Sequence, residues 1–289
     1  MSSCEYGIGL KVEVARPRTD FLLEAQLRIT TWNVNSVRLR IEGVVRLVRE
    51  VDPDVLCLQE IKVRNDFFPV LELRALGFDH HALHGQAGYH GVAIFSKLPL
   101  ADAEPLDWCN KDDCRHLFAR LPGGIELHNL YIPAGGDLPD PELNPKFRHK
   151  LEMIEALTDW FARDRSPERH AVLLGDLNVA PLETDVWNHR QLLKVVSHTP
   201  VEVAALARLQ AAHDWVDAVR RFIPPEERLY TWWSYRALDW QASDRGRRLD
   251  HIWVTPALAD DLRTASVLRA ARGWPMPSDH VPVTIELAG

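Results

Sequence analysis

The chain has 289 residues, 46% of them apolar and 26% charged, with a formal net charge of −7. This is ordinary globular composition. The acidic balance argues against a protein that coats polyanions in general, because phosphate binding relies on clustered Lys and Arg. No apolar stretch approaches the roughly 18 residues needed to span a bilayer, and no basic start leads into an apolar core, so neither a membrane span nor an export signal is expected.

Residues 1–26, with Gly7, Gly9 and Pro17, follow no steady pattern and are expected to form a loosely ordered extension. No linker or long charge run divides 27–289, which reads as one domain. Leu27–Val34 is expected to be a strand. Val37–Val51 has the pattern of a helix, with Val44, Leu47, Val48 and Val51 on one face, Ser36 as its cap and Pro53 as its stop. Asp54–Gln59 is a short apolar run that suits a buried sheet. Further strands are expected at Phe78–Leu83, Gly91–Phe95, His116–Leu121 and Ile125–Tyr131, the last two joined by a turn at Pro122-Gly123-Gly124. Asn144-Pro145 opens a second helix with Pro at its first position, and Phe147, Leu151, Ile154, Leu157, Trp160 and Phe161 follow at three- and four-residue steps. Ala171–Gly175 reads as a buried strand and residues 180–226 as a mixture of helix and loop. Strands at Arg228–Tyr235, Arg248–Thr255, Arg263–Leu268 and Val281–Leu287 close the chain. The alternation of strands and helices predicts an α/β fold of two mixed sheets packed face to face with helices outside.

The cysteines are Cys4, Cys57, Cys109 and Cys114. Cys57 lies in an apolar run and reads as a buried thiol. Cys109 and Cys114 flank Asn-Lys-Asp-Asp, which is not a zinc-knuckle spacing. A disulfide framework is not expected in so long a chain, so a reducing cytoplasm fits.

Chemistry is concentrated where carboxylates and amides end apolar runs, at Asn33, Asn35, Glu60, Asp176, Asn178, Asp250, Asp279 and His280. Each has a plain reading when taken alone. Gly-Asp-x-Asn is commonly a turn or a helix cap, Asn33 and Asn35 can cap the helix that follows, and Asp250 can pair with Arg247 or Arg248. Together they describe an oxygen-rich site. Residues two apart in a strand face one side, so Asn33 with Asn35, and Asp176 with Asn178, are expected to point into one cleft. Burying such carboxylates unpaired is costly, and a hard cation with oxygen ligands removes the cost. The set therefore suits Mg²⁺ and a phosphodiester. Arg236, Arg245, Arg247 and Arg248 add a local basic cluster to an acidic chain. His280 with Asp250 suits phosphate binding by an imidazolium, since no Gly-x-Ser-x-Gly elbow accompanies it. Alternation is expected to bury one of Trp232 and Trp233 and turn the other to the opposite side.

In this order the motifs resemble the exonuclease III family of apurinic/apyrimidinic endonucleases, within the endonuclease/exonuclease/phosphatase superfamily. The resemblance is carried by Trp-Asn-Val-Asn-Ser-Val-Arg (32–38), Pro-Asp-Val-Leu-Cys-Leu-Gln-Glu-Ile-Lys (53–62) and Asn-Leu-Tyr-Ile-Pro-Ala-Gly (129–135). It continues through Leu-Gly-Asp-Leu-Asn-Val-Ala-Pro (174–181), Tyr-Thr-Trp-Trp-Ser-Tyr-Arg (230–236), Arg-Leu-Asp-His-Ile (248–252) and Pro-Ser-Asp-His-Val-Pro (277–282). It implies a four-layer α/β/β/α sandwich. Glu60 would be the principal Mg²⁺ ligand, with Asn35 and Asp279 assisting and Mn²⁺ able to substitute. Asp176 would orient or deprotonate the attacking water, while Asn178 and Asn33 would hold that water and the phosphate. His280, oriented by Asp250, would bind a non-bridging oxygen, and Tyr131 would stabilise the transition state or leaving group. Lys62 would add a phosphate contact, Trp232 and Leu249 would wall the sugar pocket, and Arg236 would contact or wedge into the duplex.

Two positions depart from the family pattern. Ala134 stands where relatives often carry Asn or Gln, and the neighbours of Leu249 are basic where some relatives place an aromatic. The activity so implied is Mg²⁺-dependent hydrolysis of double-stranded DNA: incision 5′ to abasic sites, 3′→5′ degradation and 3′-end cleaning, by a monomer without an obligate protein partner. A superfamily hydrolase of RNA or a phosphoinositide-like ester is the alternative. A catalytically silent DNA-binding module is a third reading, and it would be expected to have lost Glu60, Asp176 or His280, all of which are present.

Overall fold

Period-two alternation sorts the strand side chains between separate cores. In the strand Val55–Gln59, Val55 and Cys57 enter one buried cluster while Leu56 and Leu58 enter another. The same division runs through both sheets of the computed structural model, which describes residues 26–237 and 239–288. The expected extension over 1–26 falls, apart from residue 26, outside the described residues.

In chain order the elements are β1 (Leu27–Asn33), α1 (Val37–Val51), β2 (Val55–Gln59), α2 (Val70–Arg74), β3 (His80–His84), β4 (Val92–Ser96), β5 (Ala101–Leu106), β6 (His116–Arg120) and β7 (Glu126–Tyr131). They continue with α3 (Pro145–Asp164), β8 (Ala171–Asp176), α4 (His189–Leu192), α5 (Pro200–Ala211), β9 (Val216–Asp217), β10 (Trp232–Trp233), β11 (Gly246–Arg247), β12 (Asp250–Val254), β13 (Leu262–Val267) and β14 (Val283–Leu287). One six-stranded sheet runs β13-β14-β1-β2-β4-β3 and the other β5-β6-β7-β8-β12-β9.

Each sheet contains one parallel pair, β1 with β2 and β7 with β8, and all its other pairings are antiparallel. A parallel pair needs a crossover connection. Helix α1 supplies it in the first sheet and α3 in the second. The cluster between the sheets joins Ile29, Val55, Cys57, Val92 and Ile94 to Leu117, Leu127, Val172, Leu174, Ile252 and Val254. On the outer face of the first sheet, Trp32, Leu56, Leu58 and Phe95 pack against Val44, Leu47 and Val48 of α1. On the outer face of the second, Leu130, Leu173 and Trp253 pack against Met153, Ile154, Leu157 and Phe161 of α3 and Leu206 and Leu209 of α5. The layers are therefore α/β/β/α, as expected. Fully burying each large apolar side chain contributes about 1.5–3 kcal/mol, so these clusters supply the main driving force for the fold.

Local signals account for most boundaries. Asn144 caps α3 by accepting from the Lys146 backbone N–H at 3.0 Å, with Pro145 at the first helical position. Ser36 does not cap α1 as expected. Its φ is 85°, no side-chain cap bond forms, and its N–H donates instead to the Glu60 carbonyl at 2.7 Å. The strand expected over Arg228–Tyr235 shrinks to the pair Trp232–Trp233. The sequence pattern does not predict the edge strand β5, since Asp102, Glu104 and Pro105 in an exposed segment carry no apolar alternation. Among the described residues no helix is long and apolar enough to cross a membrane.

Candidate active site

The site sits where both parallel pairs end. Asn33 closes β1, Gln59 closes β2, Tyr131 closes β7 and Asp176 closes β8. Strand register aligns them: Asn33 lies opposite Gln59, and Asp176 lies between Tyr131 on one side and Asp250 on the other. Neighbouring strands lie about 4.8 Å apart, so Tyr131, Asp176 and Asp250 form a row. Close approach is needed just before it. A Cβ at Gly175 would fall 2.0 Å from the Leu130 carbonyl oxygen, and its φ of 130° suits glycine.

Asn35 and Asn178 reach the cleft by a different route from the expected one. Both lie beyond their strands, at φ 44° and 54°, so left-handed turns rather than strand alternation aim them. Glu60 and Lys62 share that conformation, at φ 51° and 53°. Each such non-glycine residue costs about 1–2 kcal/mol, and such strain persists only where the surroundings fix it. Around Asn35, Glu60 and Lys62 the fixing bonds are Ser36 N–H to the Glu60 carbonyl, Val37 N–H to the Ile61 carbonyl and Lys62 N–H to the His90 carbonyl, and at Asn178 they are its own N–H to Asp176 and Lys150 Nζ to its carbonyl.

The side chains form one connected network. Asp176 accepts from Asn33 Nδ2 at 2.8 Å, from the Asn178 backbone N–H at 3.0 Å and from Asn178 Nδ2 at 3.1 Å. Asn33 Nδ2 also donates to Glu60 Oε1 at 3.2 Å, and Asn178 Nδ2 to the Ile132 carbonyl at 2.9 Å. Both amide N–H₂ groups are thus engaged in orienting Asp176. Tyr131 Oη donates to Glu60 Oε1 at 2.6 Å. Lys62 Nζ lies 2.8 Å from Glu60 Oε2 and donates to Asn35 Oδ1 at 2.6 Å. Asn35 Nδ2 and Trp232 Nε1 donate to the two oxygens of Asp279, at 3.0 and 2.9 Å. His280 Nδ1 is 2.8 Å from Asp250 Oδ2, and its Nε2 is 3.7 Å from Asp176 Oδ2.

Burial and neighbouring charge divide these groups by protonation. Burial pushes Asp176 up to about 7, with the negative charges of Asp250 and Glu60 adding to it and His280 and Asn33 opposing. Burial disfavours the His280 imidazolium, but the carboxylates of Asp250 and Asp176 outweigh it and hold the ring up at about 10. Burial also works against the Glu60 carboxylate, and the charge and hydrogen bond of Lys62 reverse it and bring the group below its usual range. Burial and the charges of Glu60 and Asp176 keep the Tyr131 phenol protonated, so it is a donor. The result is a base near neutrality beside a fixed cation.

Above this network opens a cleft of about 570 Å³, lined among others by Glu60, Ala134, Asp176, Trp187, Trp232, Arg236, Arg245, Arg247, Leu249, Asp279 and His280. Trp233 is buried in the core while Trp232 faces the cleft, as alternation predicted. Leu249 packs with Ala180, Val186 and Leu192 to form an apolar wall. Arg247 lies over the Trp232 ring and Arg245 over the Trp187 ring, at 5.2 and 4.7 Å to the centroids. Arg248 does not belong to this basic group. Alternation turns it inward, where it is fully buried and bonds both Asp217 oxygens at 2.7 Å. All thirteen residues singled out above as catalytic, metal-ligating or substrate-binding are brought to one end of the sandwich.

The site also depends on residues that sequence reasoning passed over. Gln59 Nε2 donates to Asn129 Oδ1 at 2.7 Å, and Asn129 Nδ2 to the Leu58 and Ala93 carbonyls, bolting the sheets together beneath the cleft. Ser278 Oγ donates to the Asn33 carbonyl at 2.7 Å and accepts from the His280 N–H. Thr231 Oγ1 accepts from the backbone N–H groups of Leu249 and Asp250. Buried Lys150 pairs with Glu202 and donates to the Asn178 carbonyl at 2.8 Å. Their only sequence signal was polarity inside apolar runs or beside a site residue.

Two groups of ligand atoms bear on metal binding. Asp176, Asp250 and His280 lie close enough to share an ion, but both Asp176 oxygens and the His280 Nδ1–Asp250 contact are already engaged in hydrogen bonds within the network. The oxygens of Glu60 and Asn35 instead converge on the Lys62 ammonium, with Asp279 bonded to Asn35. An all-oxygen set already gathered about a cation fits a hard divalent ion.

A profile described as "Endonuclease/Exonuclease/phosphatase family" matches residues 30–280. Exodeoxyribonuclease III of Haemophilus influenzae is 28% identical over 271 residues, covering 90% of this chain and 99% of the relative. An AP endonuclease structure from Archaeoglobus fulgidus superimposes with a TM-score of 0.85 at 32% identity, covering 91% of this chain and 100% of that one. A 3′ phosphatase from Neisseria, solved bound to a product DNA hairpin, gives 0.82 at 33% identity, covering 90% and 99%.

Proposed function

The chain belongs to the endonuclease/exonuclease/phosphatase family, in its exonuclease III branch, and on that premise we propose that it is a Mg²⁺-dependent DNA-repair nuclease. It hydrolyses phosphodiesters of double-stranded DNA, incising 5′ to abasic sites, removing 3′ nucleotides and cleaning blocked 3′ ends. The observation that carries this reading is the row Tyr131–Asp176–Asp250, with His280 charged and Asp176 near neutrality beside it. Such a pairing supplies a base and a fixed cation for a phosphate at one place.

Asp176 takes the proton of the attacking water. Asn33 and Asn178 hold its carboxylate in position and keep their engaged N–H groups on it. His280 presents Nε2–H to a non-bridging phosphate oxygen, with Asp250 fixing the ring through Nδ1. These donors are aimed where negative charge develops and need no reorganisation during reaction. Tyr131 remains protonated and stabilises the departing oxygen or the transition state. Glu60, with Asn35 and Asp279, would hold Mg²⁺, with Mn²⁺ able to replace it. When bound, the ion would act as a Lewis acid on the phosphate and leaving oxygen.

Trp232 and Leu249 shape the apolar wall that receives a sugar without a base. An abasic nucleotide is also cheaper to extrude than a paired one. Arg236, Arg245 and Arg247 line the same cleft and supply phosphate contacts that the chain's net charge of −7 does not. Lys62 adds a contact close to the metal-ligating carboxylate. The relatives named for exonuclease, AP endonuclease and 3′-phosphatase activity support the reading at the level of chemistry. The chain acts as a monomer, with residues 27–289 as one catalytic domain.

A duplex with one abasic analogue, incubated with Mg²⁺ and then with EDTA, tests this. Metal-dependent incision immediately 5′ to the analogue is expected. Erosion from the 3′ end alone would remove the abasic-pocket role of Trp232 and Leu249. Inactivity on DNA with either Mg²⁺ or Mn²⁺ would overturn the reading in favour of RNA or a phosphoinositide-like substrate.

A further inference from the structure

Away from the cleft, one other group among the described residues brings together a thiol, an imidazole and a carboxylate. Cys109 Sγ, a ring nitrogen of His149 and a carboxylate oxygen of Glu152 lie within 4.8 Å of one another. His149 and Glu152 are three apart on α3 and so share one helix face. Cys109 comes from the segment between β5 and β6, which crosses that face.

The imidazole is set up as a ligand. His149 Nε2 bonds Asp113 Oδ2 at 3.0 Å. Its Nδ1 is buried and has no hydrogen-bond partner. A carboxylate on one ring nitrogen and no partner on the other is the arrangement that orients metal-binding histidines. Leaving a buried polar nitrogen unpaired has a cost, and coordination would remove it. Asp113 is itself held by an ion pair with Arg115. Glu152 is exposed and Cys109 half-buried, so an ion can enter from solvent.

We propose that Cys109, His149 and Glu152 form a second metal site, selective for a borderline-soft divalent cation such as Zn²⁺. It differs in kind from the cleft, where the donors are oxygens that suit Mg²⁺. One sulfur, one nitrogen and one oxygen provide three positions of a tetrahedral site, and water takes the fourth. Binding forms a sulfur–metal bond and releases the Cys109 proton to solvent, so affinity rises with pH. The bound ion clamps the segment carrying Asp113 and Arg115 onto α3. Arg115 also donates to the Tyr131 carbonyl at 3.3 Å, so the clamp lies one residue contact from the row of strand-end residues. The sequence concealed this site because its ligands have no knuckle spacing and come from two elements that meet only in the fold.

The test is a titration of the whole protein with Co²⁺ alone, in a Cys4→Ser background that removes the N-terminal thiol. Thiolate-to-cobalt charge-transfer absorption reports this site and is silent for an all-oxygen site. One equivalent of cobalt should develop the band, and Zn²⁺ should displace it. Cys109→Ser should abolish the band, and His149→Gln should weaken cobalt binding at least about 10-fold. Cys114→Ser should leave it unchanged, and the circular dichroism of every variant should match the parent. Absence of the band with cobalt in large excess, or its persistence in folded Cys109→Ser protein, would overturn the proposal. None of these readouts depends on nuclease activity.

Discussion

Replacing Asp250 with Asn keeps a hydrogen-bond acceptor for His280 Nδ1 and removes only the charge. The Asp250–His280 contact is 2.8 Å between heavy atoms. Opposite charges about 4 Å apart, at an effective dielectric constant of about 20, attract by about 4 kcal/mol, which corresponds to about 3 pKa units. In the parent, burial works against the imidazolium and the two carboxylates hold it up at about 10. The variant should therefore release the His280 proton near about 7. Asp250 also contributes to the elevation of Asp176, which burial raises to about 7, so that group should ionise at lower pH in the variant. The kcat/KM profile of the parent should rise through about pH 7, where Asp176 loses its proton, and fall toward pH 10, where His280 loses its own. In Asp250→Asn both limbs should move acidward, and at about 1.5 pH units above the new alkaline limb the rate should be down about 30-fold and recover on acidification. The two limbs belong to the coupled pair rather than to isolated residues. The assay is a pH series on an abasic duplex at saturating Mg²⁺, with circular dichroism to verify folding. An alkaline limb unmoved from the parent value, or a loss equal at every pH, would refute the view that Asp250 acts by charging His280.

Asp176→Asn should lower turnover by about 10²–10⁴-fold, the usual contribution of a general base, while fluorescence anisotropy shows DNA binding retained; a near-normal rate would remove Asp176 from water activation. Trp232→Phe keeps an aromatic wall but loses the 2.9 Å bond to Asp279, so the Mg²⁺ midpoint should rise about 10-fold; an unchanged midpoint would mean that Asp279 is not a ligand positioned by Trp232. Arg248→Ala leaves Asp217 without its paired charge and the buried Asp185 carboxylate with Arg220 alone and should cost about 3–5 kcal/mol in urea unfolding. Arg245→Ala should leave unfolding unchanged and raise KM with a weaker salt dependence. The opposite pattern for the two arginines would reverse their assigned places.

Periodicity and punctuation are enough to identify α1, α3 and most central strands, because the helices bury one face, the strands are apolar runs buried on both, and local chemistry marks their ends. Asn144-Pro145 opens α3 as a cap and first-turn proline must. The edge strand β5 escaped notice because an exposed edge imposes no apolar alternation, and its pairing with β6 comes from the ladder alone. Asn33, Asn35, Glu60, Asp176, Asn178, Asp250, Asp279 and His280 are legible as types, since carboxylates and amides at the ends of apolar runs need a partner and a cation supplies one, whereas the roles of Tyr131, Lys62, Trp232, Arg236 and Leu249 follow only from the family resemblance.

Their roles depended on tertiary structure. Strand alternation predicts that Asn35 and Asn178 point into the cleft, yet both are aimed by left-handed turns held in part by side chains of the site, through Asn33, Asp176 and Lys150. Adjacent in sequence, Arg247 faces the cleft while Arg248 is buried against the Asp217 carboxylate. The charge on His280 is held against burial by carboxylates 30 and 104 positions away, and burial with the charges of Asp250 and Glu60, 74 and 116 positions away, brings Asp176 near neutrality. Residue type and spacing therefore determined the available donors and the layers that carry them. Which donors meet, and which of them keep their protons, was decided by strand register and the exclusion of water, neither of which a local stretch of sequence encodes.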